Sequence, residues 1–222
     1  MLLYHGSNEI VERPRFGLGK ATNDYGRGFY CTEHVELARE WACPKMADGF
    51  VNSYELDASG LTVLDLNAEG LTVLHWLCLL VANRPVRLDS PVEAAGANWI
   101  RAHYSIDTEP YDIIRGYRAD DSYFSFVRAF FANGISLEQL SRAMRLGNLG
   151  EQIMIKSERT FDSLSFRGYE VVPWNVYNVR RRKRDEEARA EFRRETENPV
   201  ANGLFMIDIL REGLEPDDAR LR

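Results

Sequence analysis

The chain has 222 residues, 45% of them hydrophobic and 28% charged, with a formal net charge of −6. These proportions fit a globular domain rather than a disordered chain, and the acidic balance argues against a surface built throughout for nucleic-acid phosphates. The longest apolar run, Leu71 to Ala82, is broken by His75 and is too short to span a bilayer. No basic and apolar leader opens the chain, so a cytoplasmic protein without a membrane partner is expected.

In chain order, Met1 to His5 reads as a strand that ends in the polar step Gly6-Ser7. A loop with Pro14, Gly17 and Gly19 follows, and Tyr25 to Thr32 resumes an extended pattern. Apolar residues at helical spacing predict a helix over 33–47, with Thr32 as its N-cap and Glu33 and Glu36 in its first turn. Val51 to Leu56 and Leu61 to Leu66 read as strands, and 70–82 as a buried helix. A helix over 91–104, a strand over Tyr111 to Gly116 and helices over 121–133 and 136–146 come next. Ser136 and Gln139 supply a capping box for the second of those helices. Ile153 to Ile155 is a strand, Phe161 to Phe166 a short element, Trp174 to Glu197 a long charged helix, and Leu204 to Leu214 a short final one.

Strands scattered among helices predict a mixed α+β architecture rather than a doubly wound sheet. One domain over 1–173 carrying a charged helical appendage over 174–222, packed on the same domain, is the expected organisation. Cys31, Cys43 and Cys78 are too few and too irregular for a zinc pattern, so reduced thiols and no metal are expected.

Two motifs carry the chemistry, Leu3-Tyr4-His5-Gly6-Ser7 and Tyr25-Gly26-Arg27-Gly28-Phe29-Tyr30. Together they resemble the nicotinamide-binding core of ADP-ribosyltransferases of the diphtheria-toxin and poly(ADP-ribose) polymerase type. The resemblance extends to a bacterial branch of transferase-like proteins of unknown function. It implies a split, mixed β-sheet core with inserted helices and NAD as substrate.

By the same resemblance His5 bonds the ribose beside nicotinamide, the Gly6 backbone grips the carboxamide, and Tyr30 stacks on the ring. Trp41, eleven residues after Tyr30, is either a second stacking aromatic or a core residue beside Leu37 and Ala38. Ser7, Tyr25, Gly28 and Thr32 complete the cofactor-binding set. Ala38 stands where polymerase-type enzymes carry a serine, and Thr32 or Ser7 is the substitute donor. These residue types suit the ligand. A flat cationic pyridinium is held by aromatic faces, and glycine lets backbone groups approach a carboxamide closely.

The third family position lies in Gly150-Glu151-Gln152-Ile153-Met154-Ile155. Strand alternation sends Glu151 and Gln152 to opposite faces, so one of them enters the cleft. The bacterial branch favours Gln152, with Glu151 as the alternative. Asp120 and Asp121, a pair that also recurs in that branch, read either as a helix cap or as a carboxylate at the cleft mouth, compensating for a neutral Gln152 or accepting a proton from the acceptor. The basic run Arg180 to Arg184 reads either as a face for nucleic-acid phosphates or, with Glu186, Glu187, Glu191 and Glu195 following closely, as charges paired within the helix, which explains most of it without a ligand.

The activity this implies is mono-ADP-ribosyl transfer from NAD to a protein or nucleic-acid acceptor by a bacterial toxin or effector, with an antitoxin or immunity protein as a further partner. NAD hydrolysis and non-catalytic binding of NAD or ADP-ribose are the alternatives.

Overall fold

Successive side chains of a strand point to opposite faces, and this fixes how the first strand packs. In the computed structural model, which describes residues 1–119, 124–146, 151–197, 200 and 202–222, β1 spans Leu2–Ser7. Its Leu3 is fully buried, in one core with Cys31, Leu56, Ile113, Ile153 and Ile155. Tyr4, the next residue, turns to the opposite face and packs against Ala38, Ala42, Val51 and Val172. One strand thus separates two apolar layers.

The fold is α+β, and the chain divides into two compact units, each drawn from three separate stretches. Unit 1 comprises Met1–Asp65, Thr108–Arg118 and Leu149–Asp185, which does not coincide with a division at residue 173. It holds two sheets. In the first, β1, β3 (Gly49–Leu56) and β7 (Leu164–Val172) run antiparallel in the order β1-β3-β7. In the second, β2 (Phe29–Cys31), β6 (Glu151–Ile155), β5 (Ile113–Tyr117) and β4 (Val63–Asp65) lie in the order β2-β6-β5-β4, and only the β4–β5 pair is parallel. Among the described residues, one isolated antiparallel bridge, Tyr4 to Thr32, joins the backbones of the two sheets.

Helix α1 is shorter than the sequence predicts. It runs over Val35–Ala42 with His34 as N-cap, because Thr32 is held extended in the bridge and its hydroxyl accepts from the His34 N–H at 3.2 Å. Pro44 sets the other end, since the residue before a proline is driven out of the helical region and Cys43 sits at φ −114°, ψ 57°. The long helix α7 (Trp174–Glu197) matches its predicted span. What was read as a short element over 161–166 is a helical turn, α6 (Glu158–Asp162), and the nine-residue β7.

Unit 2 comprises Leu66–Asp107, Ala119–Asn148 and Glu186–Arg222, and its described elements are helices joined by turns and loops. It contains α2 (Val73–Asn83), α3 (Pro91–Tyr104), α4 (Phe124–Phe131), α5 (Leu137–Leu146), the last part of α7 and α8 (Met206–Glu212). Ser136 and Gln139 form the capping box expected of them, with the Ser136 N–H donating to Gln139 at 2.9 Å and the Gln139 N–H to Ser136 at 3.3 Å. All three cysteines are buried and free. No described helix is long and apolar enough to cross a membrane.

The basic run on α7 pairs differently from the expectation. Arg180 and Arg184, one turn apart, meet Glu36 and Glu40, one turn apart on α1, at 2.9 and 2.8 Å. The spacing of four on each helix brings both pairs into register. The first pair is more than half exposed, whereas Glu40 and Arg184 retain 17% and 15% side-chain exposure. Burial pushes the Glu40 carboxyl up, and Arg184 and Arg118 pull it back. Arg184→Ala should therefore cost about 2 kcal/mol, because it strands a mostly buried carboxylate. Arg180→Ala should cost less than about 1 kcal/mol. Thermal melts of both variants check this, and equal losses would show that burial does not set the ranking.

Candidate functional site

The site is built where the two sheets part. Tyr4 exchanges both backbone hydrogen bonds with Thr32, at 2.8 and 3.0 Å. Two residues further along an extended strand, the Gly6 peptide groups point the same way, towards β2. The ladder stops before them. Among the described residues Gly6 makes no backbone hydrogen bond to β2, and the Tyr30 carbonyl that would face it accepts from His5 Nδ1 at 2.7 Å. An N–H and a C=O are thereby left at the end of the bridge, beside an imidazole whose orientation is fixed.

His5 carries its proton on Nδ1, since its partner there is a carbonyl, and this leaves Nε2 as an acceptor. Its ring leans on Phe29 at 4.4 Å between centroids. Burial lowers its pKa, and the bond to the Tyr30 carbonyl opposes that shift. The backbone beneath is pinned by fully buried Asn52, which donates to the carbonyls of His5 and Glu9 at 3.3 and 3.2 Å and accepts from the Val11 N–H at 2.8 Å.

Gly6 also answers to packing. A β-carbon there would collide with the Ala38 carbonyl oxygen and lie 2.7 Å from the Ala42 nitrogen and 2.8 Å from the Trp41 β-carbon. Ala38 and Trp41, the two α1 positions singled out in the sequence, are therefore immediate neighbours of Gly6. The Trp41 indole carries the Arg118 guanidinium 4.9 Å from its ring centroid, and its Nε1 is buried with no partner among the described residues.

Tyr30 and Gln152 share a face. Tyr30 pairs directly with Met154, and alternation puts Gln152 beside it, opposite the side that Ile153 and Ile155 bury. The Tyr30 hydroxyl closes the preceding turn, donating to the Gly26 carbonyl at 2.7 Å and accepting from the Tyr25 N–H at 3.0 Å. Burial pushes that hydroxyl's pKa up, the Tyr25 N–H opposes the shift, and nearby Asp24 adds to it. Gln152 is 4% exposed. Its Nε2 donates to Asp24 at 2.9 Å and to the Tyr117 carbonyl at 3.2 Å. Both partners can only accept, so the amide is oriented with Oε1 away from them.

Glu151 points to the other face, in an ion pair with Arg115, which also meets Glu33 at 3.2 Å. The remaining predicted residues hold structure. Ser7 accepts from the Glu9 N–H, buried Tyr25 donates its hydroxyl to the Tyr117 carbonyl, and Gly28 lets the turn lie on Met154 and Ile155. Asp120 and Asp121 lie outside the described residues.

Sequence reasoning missed Asp24, Asn52 and Arg118. The first is legible only once the turn that carries it is folded onto β6, and the other two have no motif around them. Asp112 was missed as well. It is 4% exposed and tied to Arg159, Ser157 and Thr62, which hold its carboxyl far below the usual range and anchor the start of β5.

Among the described residues, no cluster of histidine, cysteine and acidic side chains has the makings of a metal site. A sequence-family model described as a protein of unknown function (DUF3990) matches residues 1–166. No curated protein and no solved structure matches the chain.

Proposed function

The chain belongs to the DUF3990 family, and from that premise we propose that it cleaves nicotinamide from NAD and transfers ADP-ribose to a macromolecular nucleophile. The observation that carries this reading is the interrupted ladder at Gly6, where a donor and an acceptor sit side by side next to the fixed His5 ring. A carboxamide has the complementary pair, an acceptor oxygen and a donor nitrogen. Tyr30 and Trp41 supply aromatic faces for a cationic ring, each worth roughly 0.5 to 2 kcal/mol.

In this reading His5 Nε2 and Gln152 Oε1 accept hydrogen bonds from the ribose hydroxyls. The glycosidic bond breaks with its electron pair passing to the pyridinium nitrogen, so nicotinamide leaves neutral and positive charge gathers on the anomeric carbon. The acceptor then bonds to that carbon and loses its proton. Water in its place gives NAD hydrolysis. A bacterial toxin or effector acting in a cytoplasm, held in check by an antitoxin or immunity protein, is the setting this chemistry suits.

The neutral Gln152 and the missing hydroxyl at Ala38 favour a second reading, a module that holds NAD or ADP-ribose without turnover. Incubation with NAD labelled in its adenosine half and a cell lysate separates them. Nicotinamide release marks an enzyme, label on protein or nucleic acid marks a transferase, and binding without release marks the module.

Trp41 gives a finer test of the pocket. Phenylalanine keeps an aromatic face and should retain most NAD affinity, whereas leucine keeps bulk and loses the cation–π attraction, about 1 kcal/mol or a fivefold weaker affinity. Equal affinity in the two variants would assign Trp41 to packing alone.

A further inference from the structure

Gln152 is neutral where a carboxylate would best oppose the positive charge that gathers on the anomeric carbon as nicotinamide departs, yet a carboxylate is present one hydrogen bond away. We infer that Asp24 is a positioning residue for the cleavage: it holds the Gln152 amide so that Oε1 faces the ribose, and it supplies through that amide the negative charge that glutamine lacks. This rests on the NAD-cleaving reading above.

The geometry is specific. Asp24 is 7% exposed, an unusual place for a carboxylate, and its Oδ2 lies 2.9 Å from Gln152 Nε2. The turn that presents it is closed by the Tyr30 hydroxyl, through Gly26 and Tyr25. The Tyr117 carbonyl accepts from both the Tyr25 hydroxyl and Gln152 Nε2. One network therefore joins the proposed stacking residue, the proposed ribose acceptor and the carboxylate. With both amide hydrogens committed, Gln152 offers only its oxygen, polarised by the charge behind it, and such polarisation strengthens an acceptor in a low-dielectric site. The charge that grows on the anomeric carbon in the transition state is opposed without a carboxylate in direct contact.

Charge relocation tests this. Asp24→Asn keeps an oxygen that accepts from Gln152 and removes the charge, so it should lower kcat for nicotinamide release about tenfold, with KM for NAD changed less than about twofold. Gln152→Glu should also lower kcat, because two carboxylates then meet at a hydrogen-bond distance. The double variant Asp24→Asn/Gln152→Glu restores one carboxylate and one amide in reversed order and should regain kcat to within about fivefold of wild type. The residual loss is expected from the Tyr117 carbonyl, which forfeits the Gln152 donor and keeps that of Tyr25. Melting temperatures of all three show whether they fold.

A folded Asp24→Asn protein with wild-type kcat overturns the inference, and so does a folded double variant no better than either single. A merely structural Asp24 predicts a lower melting temperature and no rescue. If wild-type protein releases no nicotinamide, the NAD-cleaving reading itself has failed, an outcome seen before any variant is made.

Discussion

His5→Ala should lower nicotinamide release at least tenfold while leaving a folded protein, because it removes the Nε2 acceptor and frees the Tyr30 carbonyl from the bond to Nδ1 that turns it away from Gly6. The loss to stability should be near 1 kcal/mol, that of a single partly buried hydrogen bond. Release at the wild-type rate in the folded variant would remove His5 from the site.

The same residue gives the activity and the stability an acid limb. Burial holds the His5 pKa below its ordinary value, so the unfolded chain takes up a proton more readily than the folded one. The stabilisation is whole above the unfolded value of about 6.5 and is lost as pH falls below it, towards the lower folded pKa. Protonation also converts Nε2 from acceptor to donor, so release should fall over the same window. His75 is likewise kept neutral by burial and acts with the same sign. The difference between wild type and His5→Ala in melts across this pH range therefore isolates His5, and a difference independent of pH would contradict the assignment.

Gly6→Ala should be the most destabilising substitution in the site. Its β-carbon meets the Ala38 carbonyl and the Ala42 nitrogen, both backbone atoms of α1, and neither can swing aside as a side chain would. We expect about 4 kcal/mol, above the usual range for overpacking because both obstructing atoms are backbone. That corresponds to a fall of roughly 8 to 16 °C in melting temperature for a chain of this size. Lost activity would then report unfolding, so Gly6→Ala is a stability test and not a probe of carboxamide binding. A melting temperature within a few degrees of wild type would mean that α1 is free to slide on β1.

Much of the fold was legible because the signals were local. Ser136 and Gln139, and the apolar spacing of Val35, Leu37, Ala38, Trp41 and Ala42, mark helices through positions three or four residues apart. The strand β7 was not legible beyond Phe166. It is an edge strand with Tyr169 and Val171 half exposed, and what makes it a strand is pairing with β3 more than a hundred residues away. The end of α1 was misjudged because the alanine and methionine after Pro44 continue an apolar pattern that the proline overrides.

In the candidate site, the motif residues His5, Gly6 and Tyr30 stood out because residue type and spacing were enough to find them. The alternation of β6 said that Glu151 and Gln152 part, but not which way. The choice depends on β2 pairing at Met154 and on Arg115 waiting for Glu151 across β5. The arginines at 180 and 184 looked self-paired because acidic neighbours follow them. Only tertiary packing reveals that the glutamates they meet belong to α1.

The way unit 1 is stitched from three stretches bears on how the protein is made. β1, β2 and α1 leave the ribosome early, but the strand that lies between β2 and β5 arrives about 120 residues later, roughly ten seconds at ordinary rates of synthesis. The partners of Glu36 and Glu40 follow later still. Throughout that interval the apolar face of β2 has no neighbour on its β6 side, and the turn bearing Asp24 has nothing to dock on. Nascent chains cut off before residue 151 should therefore be sticky and inert, and assembly of the cleft is deferred until translation is nearly over.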